Sequence, residues 1–501
     1  MADIIHDNFG FKKKCGILAA VSSLPSDYGI GCFGKPCYDF IDFLDECGQT
    51  CWQILPLNPT AYGDSPYQSP SAFAGNPYFI DLDDLYEQGL LTRAQLKLAR
   101  RENGRVDYGD LFVSRFEILR LAYAKFKKTS AYYRFLKRSG DWVNDYALYM
   151  ALKTENGYKP WTKWQGGNKH YSFAKAHIAE HKKEVGFWLW VQYEFDRQWR
   201  KVCLYAHKRG IKIIGDMPIY VALDSVDVWS KPENYLLDED FAPTVVAGFP
   251  PDGFSPDGQL WGNPVYDWEK MEKDGFCWWV ERVKRYFELY DILRIDHFRG
   301  FAGYYVVPYG EKTARNGRWV KGSGKRLFSV INKKVPYARI IAEDLGNYTK
   351  DVGELLEFTG YPGMKLLQFA FFDDDSENLP RMFKSENCVV YTGSHDADCT
   401  YSWCKNLSGK ARKRFYTECP RRPGESMTYS LIRLAMGSIA QLVIIPMQDY
   451  LELSNEEGRM NMPSTADGNW TWRMGKGCIT PKLKQKILNA AKQGGRDKKR
   501  K

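Results

Sequence analysis

Asp291–Gly300, DILRIDHFRG, is an apolar run that ends in charge. Read as a strand, it sends Leu293 and Ile295 to one face and Ile292, Arg294 and Asp296 to the other, because successive side chains alternate. The inner face then carries a permanent cation beside a carboxylate. A guanidinium so placed lowers an aspartate's pKa by roughly 1–3 units and keeps it ionised. An ionised aspartate where a strand gives way to a loop can act as a nucleophile. From Arg-x-Asp alone, a structural ion pair at a strand end is the simpler reading.

The same pattern recurs elsewhere in the chain. IKIIGDMP, ARIIAEDLG and CVVYTGSHDAD also read as short buried strands ending in a carboxylate, at Asp216, Glu343 and Asp396. Buried parallel strands are near-continuous apolar runs, and their packing requires no acid at the end of each. Four such runs therefore suggest one shared site. CGILAA at 15–20, TCWQILPL at 50–57, GMKLLQFAF and QLVIIPMQ complete a set of eight strands, mostly separated by amphipathic helices. That alternation predicts a closed (β/α)8, or TIM, barrel with Asp216, Arg294, Asp296, Glu343 and Asp396 at its C-terminal mouth.

The remainder predicts a single catalytic domain over 1–501 with two insertions. Residues 58–210 join an aromatic, Pro- and Ser-rich loop to a helical subdomain whose apolar residues recur at i, i+3 and i+4. Residues 222–290 hold an irregular lid segment containing GFPPDGFSPDGQLWGNPVYDW, and then the helix WEKMEKDGFCWWVERVKRYFELY. Residues 494–501 read as a basic flexible tail. Of the net charge of +10, the terminal RDKKRK supplies five basic residues and one acid. The rest is spread along helix faces, which argues against nucleic acid as a partner. No run reaches the roughly 18 apolar residues of a membrane span, and the N-terminus has no signal-peptide core, so a cytoplasmic protein is expected. Twelve cysteines without CxxC pairs are expected to be reduced and buried rather than disulfide-bonded or metal-binding. An aromatic content of 15% suits sugars, whose C–H faces stack on rings, but equally suits a large core.

Several carboxylates in one pocket cannot all be ionised at ordinary pKa. Arg294 favours Asp296 as the anion, which leaves Glu343 as the proton holder. An anionic carboxylate opposite a protonated one is the equipment of a retaining glycosidase or glycosyltransferase.

RIDHFRG, IAEDLG and YTGSHD resemble regions of the α-amylase superfamily, and GDMPIYV resembles its strand-three region. More narrowly, GDSPYQSPSAFAGNPY, GQLWGNPVYDW and RMNMPSTADGNWTWR are similar to the 4-α-glucanotransferases called amylomaltase or disproportionating enzyme, in the expected order from about Gly16 to Arg473. The resemblance implies Asp296 as nucleophile, Glu343 as general acid/base and Asp396 as the group that grips ring hydroxyls and distorts the sugar. It also implies that Arg294 tunes Asp296, that Asp216 and His395 bind hydroxyls, and that Tyr67 stacks on the same sugar. Phe254 and Trp261 are expected to line the channel, and no cofactor is expected. His395-Asp396-x-Asp398 offers several potential metal ligands, but no second histidine has helpful spacing, so no metal is expected. The family commonly reads His-Asp-Asn-Asp-Thr after strand seven; here Ala397 and Cys399 replace the amide and the threonine. The implied partners are α-1,4-glucans and maltooligosaccharides as donor and acceptor. An amylase-type hydrolase and a non-catalytic glucan-binding protein are the alternatives, and monomer or dimer stays open.

Overall fold

The computed structural model describes residues 13–61, 63–101, 104–251, 255–346, 348–463, 465 and 467–498. Among these residues twelve strands are interspersed with helices: β1 (Lys14–Leu18), β2 (Cys51–Gln53), β3 (Lys212–Met217), β4 (Val245–Phe249), β5 (Gln259–Pro264), β6 (Ile292–Ile295), β7 (Gly303–Pro308), β8 (Arg318–Lys321), β9 (Ile340–Ala342), β10 (Gly363–Leu366), β11 (Cys388–Tyr391) and β12 (Leu442–Pro446). Eight of them close into a barrel in the order β1-β12-β11-β10-β9-β6-β3-β2. Their pairing is parallel throughout. They are the eight runs expected from the sequence, and their apolar content follows from burial on both faces. β3 and β6 pair with Asp216 opposite Arg294, so register alone brings these two side chains together. Gly215, between them and the outer helices, has no room for a Cβ, which would fall 2.1 Å from the Tyr290 ring.

The remaining four strands form a separate sheet, β5-β4-β7-β8, whose pairs are all antiparallel. This sheet corrects the expectation of an irregular lid segment. The Pro and Gly residues that suggested irregularity cluster at the tip between β4 and β5, while VVAGF and QLWGNP on either side are apolar enough to pair. Gly248 makes the pairing possible, since a Cβ there would lie 2.5 Å from the Gln259 carbonyl oxygen. The helix expected over 268–290 is also divided, into Trp268–Lys273 and Cys277–Leu289. Gly275 and Phe276 take positive φ values at the break, which an α-helix cannot contain.

Between β2 and β3 lie the aromatic loop and helices that include Tyr108–Tyr123, Asp141–Glu155 and Lys182–Lys208. Among its described residues the loop forms only the short 3-10 turn Pro77–Phe79, yet its own Asn58 and side chains from distant elements satisfy its backbone. Gln192 accepts from the Gly75 N–H and donates to its carbonyl, both at 2.8 Å. Asn58 donates to the carbonyls of Ser71 and Ala74 at 3.1 Å, and Asp227 accepts from the Ala72 N–H at 2.7 Å. These contacts hold the segment that carries Tyr67.

The chain end departs from the expected flexible tail. Arg496 is fully buried, donating to the carbonyls of Met436, Ser438 and Ala440 at 2.7–2.8 Å and to that of Lys14 at 3.2 Å. A charge-assisted clamp on four backbone carbonyls outweighs the tendency of a basic terminus to fray. Residues 499–501 lie outside the described residues. Arg496→Ala is expected to destabilise the protein by roughly 2–4 kcal/mol, because it leaves buried carbonyls unpaired. Urea unfolding measures this, and an unchanged midpoint would remove the clamp.

Candidate active site

The C-terminal ends of β3, β6, β9 and β11 place four acids around one recess. Asp216 lies within β3, Asp296 and Glu343 directly follow β6 and β9, and Asp396 comes five residues after Tyr391, on a loop rather than at the strand end. Arg294 is buried among them. Its Nη1 donates to both carboxylate oxygens of Asp216 at 2.7 Å and to Oδ1 of Asp296 at 3.1 Å, and its Nε rests 3.4 Å from the Met364 sulfur. The Tyr67 hydroxyl donates to Asp216 Oδ2 at 2.8 Å, and its ring stacks on His395 with centroids 5.2 Å apart and planes at 15°.

Asp296 and Glu343 are joined through the backbone. Glu343 Oε2 accepts from the N–H of His297 at 2.7 Å, and Oε1 from that of Leu345 at 3.0 Å. The Glu343 N–H in turn reaches the Ile295 carbonyl at 3.1 Å. His297 is left-handed (φ 50), a conformation uncommon outside glycine and enriched at sites where surrounding structure overrides local preference. That turn aims its N–H at the Glu343 carboxyl.

The environments of the acids differ. Burial raises Glu343 to about 7, opposed by Arg294 and reinforced by Asp296. Burial also raises Asp296 to about 6, although Arg294 pulls it down. This corrects the expectation that Arg294 alone would hold Asp296 below the usual range: the guanidinium is shared with Asp216, and desolvation exceeds what remains. The Asp296 charge acts on Glu343, so ionisation of one opposes ionisation of the other. Asp396 is opposite in sense. Burial raises it, but His395 and Asn461 prevail and hold it at about 2. Its side chain is 43% exposed, with His395 Nε2 at 3.2 Å, so it lies in a recess open to solvent. His297 is pushed down to about 3 by burial and by Arg299, and is therefore neutral.

The recess also contains groups not assigned from the sequence. Asn461 Nδ2 donates to Asp396 Oδ1 at 2.6 Å, and the Asn461 N–H reaches the His395 carbonyl at 3.1 Å. An amide thus serves Asp396 although Ala397 offers none. The next acid, Asp398, is held by Asn455 at 2.9 Å and by Arg459, and Asn455 also accepts from the Cys399 N–H at 2.8 Å. Trp470 lies against Tyr67 and His395, with centroids at 5.5 and 5.9 Å. Asn461 and Trp470 both belong to RMNMPSTADGNWTWR, whose resemblance marked the segment without marking these contacts. Trp261 meets His297 edge-on at 4.8 Å, whereas Phe254 lies outside the described residues. Among the described residues no group of three or more His, Cys, Asp or Glu side chains is placed to hold a metal ion.

A closed parallel barrel with acids gathered at its C-terminal mouth places the chain among the (β/α)8 enzymes. The family model described as 4-alpha-glucanotransferase matches residues 19–479. A 4-alpha-glucanotransferase of Clostridium butyricum is 46% identical over 95% of this chain and 99% of its own length. One from Aquifex aeolicus is 47% identical over 92% of this chain and 95% of its own. The solved amylomaltase of Streptococcus agalactiae in complex with acarbose is 38% identical, with a TM-score of 0.93 over 97% of this chain and 100% of that one. The chain belongs to the 4-alpha-glucanotransferase family.

Asn461→Ala is expected to lower kcat/KM by about ten- to a hundredfold, the range for losing a hydrogen bond to a charged group, with circular dichroism unchanged. A wild-type rate would show that His395 suffices to orient Asp396.

Proposed function

We propose that the enzyme transfers a segment of an α-1,4-glucan to the 4-hydroxyl of an acceptor glucan or glucose by a retaining double displacement. Asp296 attacks the anomeric carbon of the donor while the Glu343 carboxylic acid protonates the departing glycosidic oxygen. This gives a glucosyl ester on Asp296 and releases the first fragment. Glu343, now a carboxylate, takes the proton of the acceptor's 4-hydroxyl as that oxygen attacks the anomeric carbon, and Asp296 leaves as the anion. The observation that carries this reading is the Asp296–Glu343 pair, linked through the His297 N–H and with Glu343 the more basic member.

His395 and Asp396 are the hydroxyl-binding groups in this scheme, with Asp396 anionic to stabilise the positive charge that develops on the sugar. Asp216, fully buried with its oxygens taken by Arg294 and Tyr67, positions those two residues instead of meeting a sugar hydroxyl. Tyr67 packs on the sugar at the cleavage point. Arg294 stabilises the Asp296 carboxylate both before attack and as the leaving group. Trp261 walls the acceptor subsite, a role the sequence also suggests for Phe254, which lies outside the described residues. Water is the competing nucleophile, and transfer prevails when the acceptor is positioned and bulk water is excluded. Positioning supplies effective molarities on the order of 10⁵ M or more. Maltooligosaccharides and longer α-1,4-glucans are the donors and acceptors. A cytoplasmic location accords with twelve free cysteines and with the lack, among the described residues, of a helix long and apolar enough to cross a membrane.

Asp296→Ala is expected to abolish turnover, and Glu343→Gln to slow ester formation by about 10²–10⁴-fold. Near-normal rates of either variant on maltotriose would refute the roles. Maltotriose should yield glucose and a ladder of longer oligosaccharides with almost no net gain in reducing ends. A steady rise towards complete hydrolysis would indicate an amylase-type hydrolase. The active form has Asp296 ionised and Glu343 protonated. The rate should therefore fall below about 6 as Asp296 gains a proton and above about 7 as Glu343 loses one. A profile flat between pH 5 and pH 9 would contradict this pairing, on the order of the unit width expected of each limb.

A further inference from the structure

Trp319 lies on β8, the edge strand of the antiparallel sheet, and is 40% exposed. The indole is held in place without being buried. The Arg299 guanidinium carbon sits 3.9 Å from the ring centroid. Arg299 itself is 3% exposed, and its Nε and Nη1 have no hydrogen-bond partner among the described residues. The π face of Trp319 is what this buried cation is offered in their place, an attraction of about 0.5–2 kcal/mol. Tyr305 on the neighbouring strand, and Phe249, meet the indole near-perpendicularly with centroids at 5.3 and 6.1 Å. The indole is thus fixed in orientation while part of its surface stays open.

Its neighbours lead back to the acid pair. Phe249 stands 6.1 Å from His297, the residue that follows Asp296, and His297 stands 4.8 Å from Trp261. The rings of Trp261, His297, Phe249 and Trp319 therefore run without interruption from the reacting carboxylates to the outer edge of the sheet. A row of rings that ends on an immobilised, solvent-facing indole suits the apolar C–H face of a pyranose, which loses no hydrogen bonds by lying on it. Nothing in the chemistry at Asp296 and Glu343 requires this outer ring.

We infer that Trp319, backed by Arg299, is a remote stacking platform for a glucose unit of an α-1,4-glucan, beyond the units that flank the cleaved bond. The inference rests on the glucan-transfer reading above. The platform makes the enzyme favour long chains over short ones: a long glucan reaches the indole and gains the stacking energy, and a trisaccharide bound across the cleavage point does not. Arg299 is a positioning residue here, acting through the indole.

The test compares the full-length wild type, Trp319→Ala and Trp319→Phe, with maltotriose and with amylose as sole substrates, and records a thermal midpoint for each protein. Trp319→Ala is expected to lower kcat/KM on amylose by about three- to tenfold, the equivalent of one aromatic contact, chiefly through KM. Its value on maltotriose should stay within about twofold of wild type, the scatter of ordinary surface substitutions. Trp319→Phe keeps a smaller ring over Arg299, should fall between the other two on amylose, and serves as the test if Trp319→Ala does not fold. Equal losses on both substrates, or no loss on amylose, overturn the platform. A wild type that transfers from neither substrate overturns the transfer reading and the platform together. An active wild type whose variants ignore chain length removes the platform alone.

Discussion

The site depends on one buried cation. Arg294 is surrounded by protein, and a guanidinium in that position is tolerated only if carboxylates meet it with good geometry. Asp216 from β3 supplies both of its oxygens, and Asp296 supplies one from the end of the same strand as Arg294. Tyr67 is attached to the outer side of Asp216, so the aromatic floor, the two acids and the arginine form one bonded series across two adjacent strands. The barrel imposes this adjacency through the β3–β6 register, and loss of either carboxylate would leave an underpaired charge in the core.

A shared pocket does not give the acids a shared protonation state. Glu343 and Asp296 are raised because burial penalises their anions more than Arg294 rewards them. Asp396 opens to solvent and faces His395 and Asn461, so it stays anionic. Groups of one chemical type are therefore divided between a proton donor, a nucleophile and a fixed anion by desolvation and by which polar partner each one faces. The strained backbone at His297 contributes to this division by directing an N–H at Glu343.

The insertions follow the same logic at longer range. The aromatic loop is ordered because Gln192, Asn58 and Asp227 satisfy its backbone, an arrangement that needs the helical segment in place. The antiparallel sheet carries Trp261 and Phe249 to His297 and keeps Trp319 in contact with Phe249. Elements outside the barrel thus supply most of the aromatic surface near its mouth.

Much of this could be read from the chain alone. Apolar runs ending in Asp216, Asp296, Glu343 and Asp396 specify strands and strand ends, since period-2 alternation and burial are local properties. Eight such runs separated by helices specify the barrel. What the sequence did not reveal is set by contacts between residues far apart in it. The sheet formed by β4, β5, β7 and β8 joins segments that each read as ambiguous singly, and pairing decides them. The burial of Arg496 depends on carbonyls that only the closed barrel presents. Asn461 takes up Asp396 across 65 positions, which no local spacing encodes. The proton affinities of Asp296 and Glu343 likewise belong to the folded pocket, because desolvation is a property of what surrounds a carboxylate in space and not of its neighbours along the chain.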